Sequence, residues 1–363
     1  IINLKKIELS IDKILFRSKE ININRGDNQF KISGNFKTNR SKIDINKYIN
    51  IINTEIDLLN DQLIYASSNN RFSFNIDNNL KIKDLRINSE LNFDELHTNS
   101  KYQNLIYLKN GNLLINYDKK KLEINLNSKF LFKNTNYNNK DSKNLIKAIY
   151  RKKPNNNASV DIDLSNSYNK INTNEFKKFI SLDNFSLPKQ DINFSSTNKI
   201  NFELNKNFKV KNFNSKSEIK IDDVLIDYKS QRIKKYFNNF KNQIKLSNSY
   251  ISFDYKTNKF KIGLKSKYSI NDTYEIITLG IKRSEKDYFF DLDINLDSSE
   301  INIDELNYKK KSDIKSNLSI KGIYKNNNEI NFDNIIFNEE EKKIHIQNLE
   351  IGRNDKINNL DLF

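Results

Sequence analysis

The chain has 363 residues, with 62 Lys or Arg against 46 Asp or Glu for a formal net charge of +16, and it contains no Cys, Met or Trp. The missing cysteine excludes disulfides, thiolate metal sites and cysteine nucleophiles together. At 36% hydrophobic, with 24 Phe and 17 Tyr, the chain is too apolar to be a disordered polymer and has the means to build cores.

The charge needs reading beside the composition. The sequence holds 64 Asn, 52 Ile and 53 Lys but only 3 Ala, 3 Val, 7 Gly and 2 Pro, a skew towards A/T-rich codons. Only 9 of the basic residues are Arg, the side chain that reads phosphates and base edges with a bidentate fork. The lysines are spread along the chain, so they read as solvated surface, and nucleic acid is not expected as a partner.

Isoleucine, leucine and phenylalanine alternate with polar residues in one short run after another, which is the period of a β-strand with one apolar and one wet face. The chain opens inside such a run, Ile2 to Ile7, and with no Met it is expected to be an internal piece of a longer polypeptide. Phe30, Ile32 and Phe36 alternate cleanly around Gly34, which falls on their side and leaves space for a close approach or a bend. Ile43, Ile45 and Ile49 continue the pattern. Phe72, Phe74 and Ile76 lead through Asn78 and Asn79 to Ile82, Leu85, Ile87, Leu91 and Phe93. With glycine scarce, Asn is expected to fill left-handed backbone positions. Leu113 and Ile115 turn at Asp118 to Lys120 and return through Leu122, Ile124 and Leu126.

Three segments break the period. Asp141 or Ser142 can cap a helix bearing Leu145, Ile146, Ile149 and Tyr150, and Thr173 can cap a shorter one bearing Phe176, Phe179 and Ile180. Ser230 precedes Ile233, Tyr236, Phe237 and Phe240 at helical spacing. Each carries a single apolar stripe, suited to lying over a sheet end. Strands then resume with Tyr250, Phe253, Tyr255, Phe260, Ile262 and Leu264, and Tyr274 to Ile281. Phe290, Leu292, Ile294 and Leu296 face away from Asp291, Asp293 and Asp297, and are expected to be answered by Ile301 and Ile303, then by Leu318 to Tyr324, including Ile320. The runs from Asn334 to Phe337 and from Ile344 to Leu349 close the series.

About twenty strands result, more than one open twisted sheet of ordinary size holds. The fold class expected is mainly β: an elongated, curled antiparallel β-sheet, shaped as a groove, with about three short helices. A weak boundary is placed between an N-terminal segment, 1–228, and a C-terminal one, 229–363, with a single continuous sheet as the alternative. No apolar stretch approaches the roughly 20 residues that span a bilayer.

Chemistry leaves few marks. His97 and His345 lie far apart without a partner at metal-ligand spacing, and no G-x-S-x-G, P-loop or Rossmann pattern occurs. Asp291, Asp293 and Asp297 alternate along a wet face, where carboxylates stay solvated. Glu339 to Lys343 and Lys309 to Lys311 both read as hairpin tips. No catalytic residue, cofactor or metal site is expected, and the chain is not expected to be an enzyme.

Phe30 to Phe36 and Leu318 to Tyr324, each with an interior Gly, together with the closing passage from Asn334 to Leu349, resemble the AsmA-like and TamB-like proteins of Gram-negative bacteria. The likeness covers most of the chain and rests on strand style. The resemblance implies a periplasmic β-structure, anchored in the inner membrane by a segment not present here, whose apolar trough carries phospholipid between the inner and outer membranes. Acyl chains would then be the partner. Such a trough would be lined by Phe30, Ile32, Phe36, Ile82, Ile87, Phe93, Ile124, Leu126, Phe260, Ile262, Phe290, Leu292, Ile294, Leu296 and Ile320. The same residues would equally form a closed sandwich core, so a structural or adhesive protein of stacked β-modules stands as the first alternative. A basic nucleic-acid-binding β-protein is the second.

Overall fold

Alternation at this density leaves strands as the local solution almost everywhere, and the computed structural model is mainly β. It describes residues 1–11, 13–44, 63–97, 106–118, 121–132, 144–153, 157–173, 187–228, 231–237, 240–257, 259–304, 307–325, 329–352 and 357–362. Twenty-one strands lie among these, nineteen in one large antiparallel sheet and two in a separate ribbon.

The chain divides into two compact units. The first comprises 1–138, 143–166 and 199–213, and the second 139–142, 167–198 and 214–363. The boundary expected between 228 and 229 falls inside the second unit.

In the first unit β1 (Ile2–Ile11), β2 (Ile14–Arg25), β3 (Gln29–Asp44), β4 (Leu63–Asp77), β5 (Ile82–His97), β6 (Ile106–Tyr117), β7 (Leu122–Phe132) and β8 (Leu145–Lys152) pair in chain order, each antiparallel to the last. β8 in turn pairs with β9 (Ala158–Asn172). The core gathers at one end of these strands, where Ile14, Ile43, Ile64, Ala66, Phe93, Leu108 and Phe130 are buried together.

Strands β10 (Asp191–Leu204) and β11 (Val210–Asp227) lead into the second unit's own meander. There β11, β12 (Gln243–Lys256), β13 (Lys259–Ser269), β14 (Glu275–Ser284) and β15 (Asp287–Asn295) pair in succession. The ladder continues through β18 (Ser316–Tyr324), β19 (Ile330–Glu339), β20 (Lys342–Ile351) and β21 (Ile357–Leu362). β16 (Ile301–Ile303) pairs only with β17 (Tyr308–Lys310), forming the ribbon. The strand run ending at Leu296 is therefore answered by Leu318 to Tyr324 and not by Ile301 and Ile303, because the chain leaves the sheet at Leu296 and returns at Ser316.

The helices are fewer than expected. Leu145 to Tyr150 form strand β8, with Ile146, Ala148 and Tyr150 set opposite Leu164, Ile162 and Val160. Open ladders on both sides offer every backbone group of this short segment a partner, and its Ile residues suit a pleated surface, so pairing overrides the helical spacing. Of the helix expected after Thr173, only that residue is described. It is fully buried, its hydroxyl donating to the Pro188 carbonyl at 2.7 Å. The third segment forms the one helix among the described residues, α1 (Gln231–Tyr236), a turn and a half long. Tyr236 on it is exposed, while Phe240 beyond its end is buried.

Asparagine does take left-handed positions, among them Asn110, Asn248 and Asn348, each at a register shift in its ladder. Such bulges are a usual place for positive φ. No described glycine has positive φ. Three glycines instead seat aromatic rings from the strand directly opposite: Phe72 over Gly34, Phe93 over Gly111 and Phe290 over Gly322. An added Cβ would lie 3.0 Å from the Phe72 ring, 1.9 Å from that of Phe93 and 2.7 Å from that of Phe290.

Candidate functional site

Register in the second unit turns the alternation of single strands into rows that cross the sheet. One row runs Ile219, Ile251, Leu264, Leu279, Leu292, Ile320, Ile335 and Ile346, one aliphatic side chain per strand from β11 to β20. A second runs beside it through Phe253, Ile262, Ile281, Phe290, Gly322, Phe332 and Leu349. Every side chain of the first row is half-buried, and none belongs to either buried hydrophobic cluster. The other face carries Ser252, Gly263, Gly280, Asp291, Lys321, Asn334 and Gln347. An ion pair of 3.7 Å joins Lys321 to Asp291 there. Asp291 and Asp293 are exposed on that wet face, and His345 shares it, its Nε2 lying 2.8 Å from the Asn334 amide oxygen.

One end of the apolar face is covered. The β16–β17 ribbon places Tyr308 edge-on against Phe337, with ring centroids 5.8 Å apart, and Tyr308 donates a hydrogen bond to Glu339. Lys310 holds the ribbon down. Its ammonium donates to the carbonyls of Asp297, Ser299 and Lys311 at 3.0, 2.8 and 3.0 Å, and the residue is 3% exposed. Glu275 accepts from the Ser298 amide at 2.8 Å and from the Tyr268 and Ser299 hydroxyls at 3.2 Å each. The Asp297 carboxylate takes the Ser316 amide at 2.7 Å. Burial pushes the Lys310 ammonium below the usual lysine value against the opposing pull of Glu275 and Asp297, and burial with Glu275 raises the Tyr268 hydroxyl. Lys309 to Lys311 is thus no hairpin tip: Lys309 and Lys310 pair within the ribbon, and Lys310 turns inward as the cation among the carbonyls of the returning chain. Glu339 to Lys343 does form a tip, with Glu339 opposite Lys342.

The other end of the face is an aromatic rim. Phe253, Phe260, Tyr288 and Tyr324 touch in sequence at centroid distances of 6.5, 5.9 and 6.2 Å. Arg283 stands in this rim, opposite Phe260 on one side and Tyr288 on the other.

In the first unit Ile32 lies opposite Phe74, Gly34 opposite Phe72, and Phe72 opposite Ile87, extending an apolar face from β3 to β5. Ile124 and Leu126 pair with Ile115 and Leu113 further along. Phe30 and Ile82 are exposed. Three concavities of about 400, 490 and 870 Å³ open in this unit. The largest is lined mainly by polar and charged groups, including Lys6, Glu8, Arg17, Glu20 and Lys37.

Of the residues expected to line a trough, register places Phe260, Ile262, Phe290, Leu292, Ile294 and Ile320 on one continuous face of the second unit. Phe30, Ile32, Phe36, Ile82, Ile87, Ile124 and Leu126 lie in the first unit. Phe93 and Leu296, only 5% and 3% exposed, present almost no surface to a ligand. Lys310 was hidden from sequence reasoning by its place in a lysine run. Arg283 left a visible sign, because it continues the apolar side of Ile277, Leu279 and Ile281.

Fold and face together define a class: a mainly β protein with an apolar face on the sheet of its second unit. Compared with family models, curated proteins and solved structures, the chain matches none.

Proposed function

We infer that the chain is a segment of a bridge-like lipid-transfer protein of the AsmA-like kind, whose sheet is elongated and curled so that its apolar face carries phospholipid acyl chains. In this reading it works in the periplasm between inner and outer membranes, anchored by a part of the longer protein outside this sequence. The observation that carries the reading is the aliphatic row from Ile219 to Ile346, which is only half-buried on every strand and belongs to no buried cluster. An acyl chain laid on such a face gains about 0.8 kcal/mol per buried methylene. Neighbouring positions are chemically alike, so a chain can move along the row without crossing a deep trap. No bond is made or broken, and the protein's contribution is shielding.

The test is photo-crosslinking of a diazirine-bearing phospholipid to the purified protein. Leu292→Asp and Ile294→Asp should remove the crosslink and leave the far-ultraviolet circular dichroism of the sheet unchanged. Crosslinking that persists in both variants refutes the reading. A closed module with a dry core would give no specific crosslink even in the wild type and no co-purifying phospholipid in native mass spectrometry.

A further inference from the structure

We propose that the aromatic rim around Arg283 binds the anionic head group of a phospholipid, so that the apolar face prefers anionic over zwitterionic lipids. This rests on the lipid-carrying reading above and adds a specificity to it.

Arg283 is the single charged residue in a row that otherwise runs Tyr255, Phe260, Tyr288, Tyr324, Ile330 and Ile351 across the sheet. Its guanidinium carbon sits 5.4 Å from the centre of the Tyr288 ring, and its Nε donates to the Glu285 carbonyl at 3.2 Å. Among the described residues it has no carboxylate partner, and its two terminal nitrogens donate to nothing. A half-buried arginine whose guanidinium lies over a ring, with its fork left open, is set to take a phosphate in bidentate fashion.

The neighbouring hairpin supplies a control. Lys256 and Lys259 face each other directly across the β12–β13 pair, both exposed and neither with an acidic partner among the described residues. Lys256 and Lys259 are one residue out of step with Tyr255 and Phe260, so at this same end of the strands they stand on the opposite face from Arg283. Tyrosines suit the same boundary, since each has an apolar ring and a polar tip. An acyl chain on the aliphatic row would therefore meet, at this end, rings to cover its first methylenes and the Arg283 guanidinium to meet its phosphate.

The experiment compares binding of fluorescent phosphatidylglycerol and phosphatidylcholine with identical acyl chains to the full chain. The wild type should bind the anionic lipid more tightly. Arg283→Gln should weaken phosphatidylglycerol about tenfold, as for loss of one charge-assisted hydrogen-bonded pair. It should leave phosphatidylcholine unchanged, and Arg283→Lys should restore part of the preference. Lys256→Gln with Lys259→Gln, which removes two cations from the opposite face, should leave the preference unchanged, and a loss as large as that of Arg283→Gln would mean that net charge and not the rim selects the lipid, which overturns the site. Equal binding of both lipids by wild type and variants overturns the head-group site and leaves the acyl surface standing. If neither lipid binds wild type, the lipid reading falls and takes this inference with it.

Discussion

The buried cluster of the first unit and the aliphatic row of the second are built from the same alternation, yet they differ in what covers them. In the first, Phe93 lies on Gly111 and is 5% exposed, enclosed by Ala66, Leu108 and Phe130. In the second, Leu292 has Leu279 and Ile320 beside it in the sheet and stays only half-buried. Cross-strand neighbours shield the flanks of a side chain but not its tip. A second layer decides whether a β-face becomes core or surface.

Substitutions can break that comparison. Phe93→Ala should cost about 3 to 5 kcal/mol, the usual range for removing an enclosed ring, while Leu292→Ala should cost about 1 kcal/mol. Urea denaturation of the two variants measures both, and equal losses would mean that the row is as enclosed as the core.

Next in size is the staple at the covered end. Lys310→Met leaves three buried carbonyls without their donor and should cost about 3 kcal/mol. Because the folded ammonium titrates below the ordinary 10.5, its penalty is full at neutral pH and relieved as pH rises towards that value. The wild type should therefore gain stability from this group on the approach to 10.5, and Lys310→Met should lack the gain. Tyr268, raised by burial, acts in the opposite sense above its ordinary 10.0, so the difference is best read in denaturation below that pH.

Glycine seats sharpen the comparison on a finer scale. At Gly322 a Cβ would meet the Asn331 carbonyl oxygen at 2.4 Å as well as the Phe290 ring, and backbone cannot step aside. At Gly34 it would meet only side-chain atoms, at 3.0 Å or more. Gly322→Ala should cost about 1 to 3 kcal/mol and Gly34→Ala less than about 1, as read from thermal melts of each.

The smallest effect belongs to Asp272, held down to about 2 by hydrogen bonds from Lys241 and Lys245 at 2.8 and 3.0 Å. Its contribution is present above 3.8 and fades as pH falls towards 2. Asp272→Asn should lower the melting point slightly at neutral pH and low salt, with the difference vanishing in acid or in high salt.

Much of this was legible from residue order alone. The alternation of Phe290, Leu292 and Ile294 against Asp291 and Asp293 names both faces of β15, and Gly34 and Gly322 announce close approaches before the approaching ring is known. Leu145 to Tyr150 misled, because apolar residues at 145, 146, 149 and 150 satisfy helical spacing while only the pairing partners, Leu126 and Ile162 around Ala148, select the strand. The buried fate of Lys310 was illegible, since nothing in three consecutive lysines says which one faces inward.

Side-chain period is a local property, written every second residue, and so the chain by itself determined that it would be β-structure with one apolar and one polar face per strand. Which strands are neighbours, and in what register, depends on contacts distant in sequence. Tertiary structure therefore decided that eight aliphatic residues from Ile219 to Ile346 align in one row, that Lys310 closes one end of the face, and that Arg283 stands among rings at the other.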